Sequence, residues 1–311
     1  MIKGIESVII IFIIMSIGFI FTKKKWLPSG SNKTLANLVV KVAAPFLAVV
    51  SIADRCTIEM LFSSFRYLAI AFSVIFILFG VSSLIAKFLK ITKQRKAIFK
   101  VMFTFNNTIF IGLPINEIVF GQEGLPYLFM YYVATLTMFW TLGNFVIVKA
   151  SDQYNQKLKP GQMIKSVISP GLVGVIVGFV LVVTEYEVPY FLWETVTYLS
   201  ELCVPLSLIM IGINIAEIKG FTLNSSVDEL LVIGSKFIIT PLCMLALLSI
   251  FGISKGLDWN VFMLTSSMPC HTQTVILAEY YDTDPVYASK LITQTTLISL
   301  ITIPIFSALL S

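Results

Sequence analysis

Asn106-Asn-Thr-Ile-Phe-Ile-Gly-Leu-Pro-Ile-Asn-Glu117 and Thr265-Ser-Ser-Met-Pro-Cys-His-Thr-Gln-Thr274 are the two most polar stretches inside otherwise apolar runs of this chain. Each carries a proline, Pro114 in the first and Pro269 in the second. Proline removes a backbone donor and clashes with the carbonyl one turn back, so it frees polar groups. In a bilayer such groups are tolerated only beside protein, water or a ligand. One proline alone reads as a kink. Two prolines, each wrapped in amides and hydroxyls, point to a pair of membrane helices broken at a site.

The rest of the chain supports a lipid setting. Of 311 residues, 57% are hydrophobic and 13% are charged, against about 45–50% and about 25% in soluble domains. Ten segments have the roughly 20 mostly apolar residues that a crossing helix needs. They are Ile5–Phe21, Thr34–Ile52, Phe65–Ala86, Ala97–Phe120, Leu125–Val148, Met163–Thr184, Trp193–Ala216, Leu230–Phe251, Trp259–Tyr280 and Pro285–Leu310. Runs such as Leu172–Val183 do not alternate, which argues against a β-barrel. The expected fold is an all-α polytopic membrane protein. The first span is no cleaved leader, because its basic block, Lys23-Lys24-Lys25, follows the apolar run.

Basic residues are unevenly shared among the loops. Sixteen lie in odd-numbered loops and four in the even loops and amino terminus. The positive-inside rule then puts odd loops in the cytoplasm and both termini outside, in a multi-pass protein of the plasma membrane. The same distribution turns the net charge of +5 into a topology signal and away from nucleic acid. Four scattered cysteines (Cys56, Cys203, Cys243, Cys270) form no CxxC pair, so no metal site or disulfide framework is expected.

The prolines also reveal a repeat. Pro45 in span 2 is 69 residues before Pro114 in span 4, and Pro205 in span 7 is 64 residues before Pro269 in span 9. Spans 2 and 4 of one five-span unit therefore match spans 7 and 9 of another, dividing the chain into residues 1–151 and 152–311. An odd number of spans per unit inverts the second copy. Inverted repeats with broken helices near the midplane mark secondary transporters.

With these stretches in view the sequence resembles the auxin efflux carrier family, which includes plant carriers and bacterial malate- or malonate-type permeases. The most specific matches are Asn107-Thr-Ile-Phe-Ile-Gly-Leu-Pro114 and Met268 to Pro285, supported by Pro205 to Gly212 and Thr295 to Pro304. The resemblance covers nearly the whole chain. It implies two inverted five-helix repeats with crossing broken helices 4 and 9. It further implies a scaffold of helices 1, 2, 6 and 7, a mobile unit of helices 3–5 and 8–10, elevator motion, a homodimer and organic-anion substrates. Carried-over site residues are Asn107, Pro114, Pro269 and Gln273, the last where relatives often have another polar residue. Asn116 and Glu117 stand where apolar residues are usual, and His271 where small ones are.

Ionisable groups within spans are functional hypotheses by default. Lys236 and Lys290 are expected to snorkel to the nearby helix ends, and Glu279 to be interfacial. Lys41 and Glu201 each lie four residues before matching prolines, and they read either as a structural ion pair or as a polar floor under the substrate. Glu117 and His271 follow their respective breaks and read as a proton-responsive pair or a structural hydrogen bond. With Asn107, Asn116, Pro114, Pro269 and Gln273 these form the candidate site. No catalytic residue or cofactor is expected: Cys270 and His271 are chain neighbours, about 100° apart on a helix, and HExxH, GxSxG and P-loop patterns are missing. The expected activity is carriage of an organic carboxylate. An ion-coupled carrier of another solute and an anion channel are the alternatives.

Overall fold

The computed structural model describes residues 2–28, 30–55, 58–151, 170–217 and 225–310. The described residues contain helices and short connections, with no named strand. Among the described residues, six helices are long and apolar enough to cross a membrane: Thr34–Asp54, Phe65–Phe88, Gln122–Ala150, Tyr190–Glu217, Val227–Ile250 and Pro285–Leu310. Shorter apolar helices cover Ile9–Lys23, Thr108–Phe120 and Pro170–Thr184. The fold is all-helical and polytopic in character. The start of the expected sixth span, residues 163–169, lies outside the described residues, as does most of the Lys149–Lys165 loop.

Proline acts here mainly by widening helices. Four five-residue turns of π-helix occur among the described residues, at Val39–Ala43, Thr108–Gly112, Phe139–Gly143 and Ser235–Ile239. Pro45, Pro114 and Pro241 each follow one of them by two residues. A residue without an N–H leaves the carbonyl one turn back free, and a wider turn lets that carbonyl take the next N–H instead. Pro114 thus sits in the first turn of the helix Leu113–Phe120, not at a break as the sequence suggests.

Association of helices in lipid relies on close packing and interhelical hydrogen bonds, because lipid tails are as apolar as the side chains. Glycine provides the closest approaches. A Cβ on Gly18 would strike the carbonyl of Ile209, and one on Gly212 would strike that of Met15, so the helices Ile2–Lys23 and Cys203–Glu217 meet backbone to backbone. Gly174 meets the backbone of Pro45 in the same way, joining Pro170–Thr184 to Ala44–Arg55.

Three apolar clusters divide the interior. The largest draws on Ile70, Phe99, Phe139, Met244, Phe262 and Leu291, and its buried members all come from residues 70–147 and 232–291. The second joins Leu47, Val175 and Met210 to Leu113 and Phe129. The third joins Ile11 and Ile211 to Ile115, Met268 and Ile303. The helices at Ile2–Lys23, Ser31–Arg55, Pro170–Thr184 and Tyr190–Glu217 therefore contribute to the second and third clusters but to none of the buried members of the first.

Polar ties hold the ends of the first group. Arg95 Nε donates to Asp228 Oδ2 at 2.8 Å and Arg95 Nη2 to Ser226 Oγ at 2.9 Å, with its guanidinium 4.1 Å from the centre of the Tyr287 ring. Lys290 Nζ is 2.9 Å from Glu229, and Ser226 and Glu229 cap the same helix reciprocally. At the other end of these helices the Tyr67 hydroxyl donates to Asp258 at 2.7 Å.

Candidate functional site where two helices are interrupted

The helix Lys93–Thr104 stops as Phe105 turns extended (φ −95°, ψ 135°), and helix resumes at Thr108. The helix Leu257–Ser266 stops likewise, and helix resumes at Gln273. The side chains explain the stops. Ser, Thr and Asn offer the backbone local hydrogen bonds that compete with the helical ladder. Ser266 and Ser267 donate back to Met263 and Leu264 carbonyls at 2.7 and 2.8 Å, and Asn107 Oδ1 caps the new helix by accepting from the N–H of Phe110 at 3.2 Å.

The two interruptions lie side by side. The N–H of Asn107 donates to the carbonyl of Pro269 at 2.8 Å, and that of His271 to the carbonyl of Phe105 at 3.2 Å. Asn106 and Cys270 form an isolated antiparallel bridge. The Asn106 side chain serves both chains: Nδ2 donates to Ser266 O at 2.8 Å and Thr265 O at 3.3 Å, while Oδ1 accepts from Lys236 Nζ at 2.8 Å. Lys236 also donates to Phe105 O at 2.9 Å and Phe103 O at 3.1 Å. A cation at this point suits the carbonyl end of the helix Lys93–Thr104.

A cavity of ≈ 30 Å³ opens beside this junction, lined by residues including Val40, Ala44, Asn107, Thr108, Thr135, His271 and Gln273. That is room for about one or two waters. Three of the lining residues hold a buried polar atom with no protein partner: Asn107 Nδ2, Thr135 Oγ1 and His271 Nδ1. Buried polar atoms are nearly always paired, so three orphans around one cavity call for an occupant.

The membrane transport protein family model matches residues 3–307 of this chain. The chain belongs to this family, the auxin efflux carriers. An uncharacterized transporter of Methanothermobacter thermautotrophicus is 27% identical over 313 residues, covering 98% of each chain. An uncharacterized transporter of Methanocaldococcus jannaschii is 22% identical over 308 residues, again covering 98% of each.

Within this auxin efflux carrier family member, the candidate residues separate into groups. Asn107 and Gln273 line the cavity, and so does His271. Pro269 supplies the carbonyl that holds Asn107 in place. Asn116 is turned elsewhere: its Nδ2 donates to Gly112 O at 2.7 Å and Thr265 Oγ1 at 3.2 Å, bracing the two helices against each other. Pro114 and Asn116 are buried but are not among the residues lining the cavity.

Glu117 and His271 do not meet. Glu117 hydrogen-bonds Gln122 on its own side and has Glu201 and Cys203 as its charged and thiol neighbours, and its Oε2 is buried without a partner. The His271 ring instead packs on Phe139, with centroids 4.2 Å apart. Lys41 and Glu201 are likewise exposed and make no ion pair with each other, which removes the structural ion pair as their explanation.

Lys236 overturns its expected role most sharply. It is fully buried, not snorkelling, because the wide turn Ser235–Ile239 aims it inward at the broken helix, where Ser235 Oγ also donates to Phe103 O at 3.1 Å. Lys290 stays partly exposed but is tied to Glu229, and Glu279 is exposed. Asn106 and Thr135 were not singled out by the sequence reading. Asn106 stands in the quoted polar stretch, next to Asn107, and that doubling of amides was the available signal; Thr135 gives none.

Proposed function

We propose that this protein is a secondary carrier of an organic carboxylate anion, either an auxin-like monocarboxylate or a malate-type dicarboxylate, working by elevator-type alternating access. One observation carries the reading: the cavity at the two interruptions holds three unpartnered buried polar atoms. Two of these, on Asn107 and Thr135, are donors, as an anion requires. Helices restart at Thr108 and Gln273 beside it, and helix starts present free N–H groups and the positive end of the dipole. Amide and hydroxyl donors hold an anion without fixing it, so it can leave on the far side.

The cavity walls favour motion of one body against another. Val40 and Ala44 come from residues 31–55, which give no buried member to the large cluster, while Ala44, Tyr132 and Leu136 meet in the second cluster, where the two groups of helices touch. This matches a scaffold of spans 1, 2, 6 and 7 and a transport unit of spans 3–5 and 8–10 within ten spans built as inverted repeats. The paired glycine crossings, span 1 on span 7 and span 6 on span 2, are the pattern that an inverted repeat generates. The compact space of ≈ 30 Å³ suits a reading in which the two bodies part to load the substrate.

Reconstituted vesicles test the carrier against an anion channel. Saturable uptake of labelled carboxylate, accelerated by unlabelled substrate on the other side, is the expected result. Unitary currents without counterflow would mean a channel.

A further inference from the structure

We propose that Phe103 O, Phe105 O and Asn106 Oδ1 form an alkali-cation position that the chain fills with its own Lys236 ammonium, so that the fixed charge replaces a co-transported metal cation. The inference rests on the anion-carrier reading for its meaning in transport, but the cage itself stands on separate geometry. Three oxygens converge on Nζ at 3.1, 2.9 and 2.8 Å, and Lys236 is 0% exposed. An ammonium has three N–H donors and no acceptor, so three acceptors satisfy it completely. No ion pair with a carboxylate involves Lys236 among the described residues.

Such a ligand set, two backbone carbonyls and an amide oxygen, is the oxygen chemistry that hard cations take. The two carbonyls belong to the interrupted end of the helix Lys93–Thr104, whose dipole also favours a positive charge there. Asn106 joins this position to the cavity: its side chain accepts from Lys236, and its neighbour Asn107 lines the cavity with an unpartnered amide nitrogen. A positive charge without an acidic partner, one residue from the cavity, compensates a bound anion from the protein itself.

The test compares purified wild type and Lys236→Ala without substrate, in NaCl, KCl and choline chloride at equal ionic strength. The wild type is expected to show the same thermal midpoint in all three salts. Lys236→Ala is expected to gain a saturable rise in midpoint with Na⁺ or K⁺ over choline, or, where it unfolds in choline, to be recovered as monodisperse protein only with an alkali cation present. A folded Lys236→Ala indifferent to the salt overturns the proposal. So does a variant that no cation recovers, or a wild type that Na⁺ or K⁺ stabilises saturably. In vesicles, wild-type uptake is expected to continue at the same rate when choline replaces Na⁺ and K⁺; its loss would also overturn the proposal. Because the thermal arm contains no carboxylate, failure of the anion reading leaves its result intact.

Discussion

The backbone N–H of Asn107 donates to the carbonyl of Pro269 at 2.8 Å, across 162 positions of sequence. This bond and its companion from His271 to Phe105 fasten two helix ends that would otherwise leave buried polar groups unpaired. The polar atoms around the cavity are therefore held by a junction that belongs to both halves of the chain.

Asn106 is the side chain on which this junction depends. It is 1% exposed and binds both Ser266 O and Lys236. Asn106→Ala is expected to destabilise the protein by about 1–3 kcal/mol for the buried partners left unpaired. Thermal unfolding in detergent measures it; an unchanged midpoint would show that the contacts contribute nothing.

Arg95 makes a comparable tie at the helix ends. Arg95→Ala strips Asp228 and Glu229, whose side chains are 5% and 3% exposed, of a cation. Arg95 itself is 27% exposed, so the loss should fall below the roughly 3–5 kcal/mol of a fully buried pair. The double variant Arg95→Ala/Asp228→Ala should recover part of the lost thermal midpoint, since it removes the stranded carboxylate. A double variant less stable than Arg95→Ala would contradict this pairing.

Glu117 and His271 should act independently. With no contact between them, the effects of Glu117→Gln and His271→Ala on stability are expected to add within roughly 0.3–0.5 kcal/mol. A larger coupling in the double-mutant cycle would restore the proton-responsive pair.

Much of the architecture was legible because lipid imposes one-dimensional rules. Apolar run length marked helices such as Phe65–Phe88, and the polar stretches around Asn107 and His271 marked the interruptions. Site geometry was less legible. Pro114 drew attention as a break, yet the interruption lies at Phe105–Asn107 and the proline sits in the first turn of the helix that follows the wide turn Thr108–Gly112. Lys236 looked like a snorkelling residue by its distance from a helix end. Its rotation toward the broken helix comes from the turn at Ser235–Ile239, a feature that no periodicity announces. Lys41 and Glu201 stand at like distances before Pro45 and Pro205, but that spacing in sequence does not pair their side chains.

Topology gives a further expectation. From the basic asymmetry between loops, both termini are expected outside and Lys157 in the cytoplasm. Lys157→Cys, in a background without native cysteines, should resist an impermeant thiol reagent in intact cells and react after permeabilisation. Labelling of intact cells would reverse the orientation.

Carboxylate affinity of Asn107→Ala and Gln273→Ala, measured in folded, detergent-purified protein, tests most directly whether an anion binds at the cavity beside the two interruptions. Asn107→Ala is expected to weaken binding by roughly 1–3 kcal/mol, the usual cost of removing a buried polar partner, and Gln273→Ala to weaken it in the same direction. Affinity equal to that of the parent in both variants would contradict binding at this site.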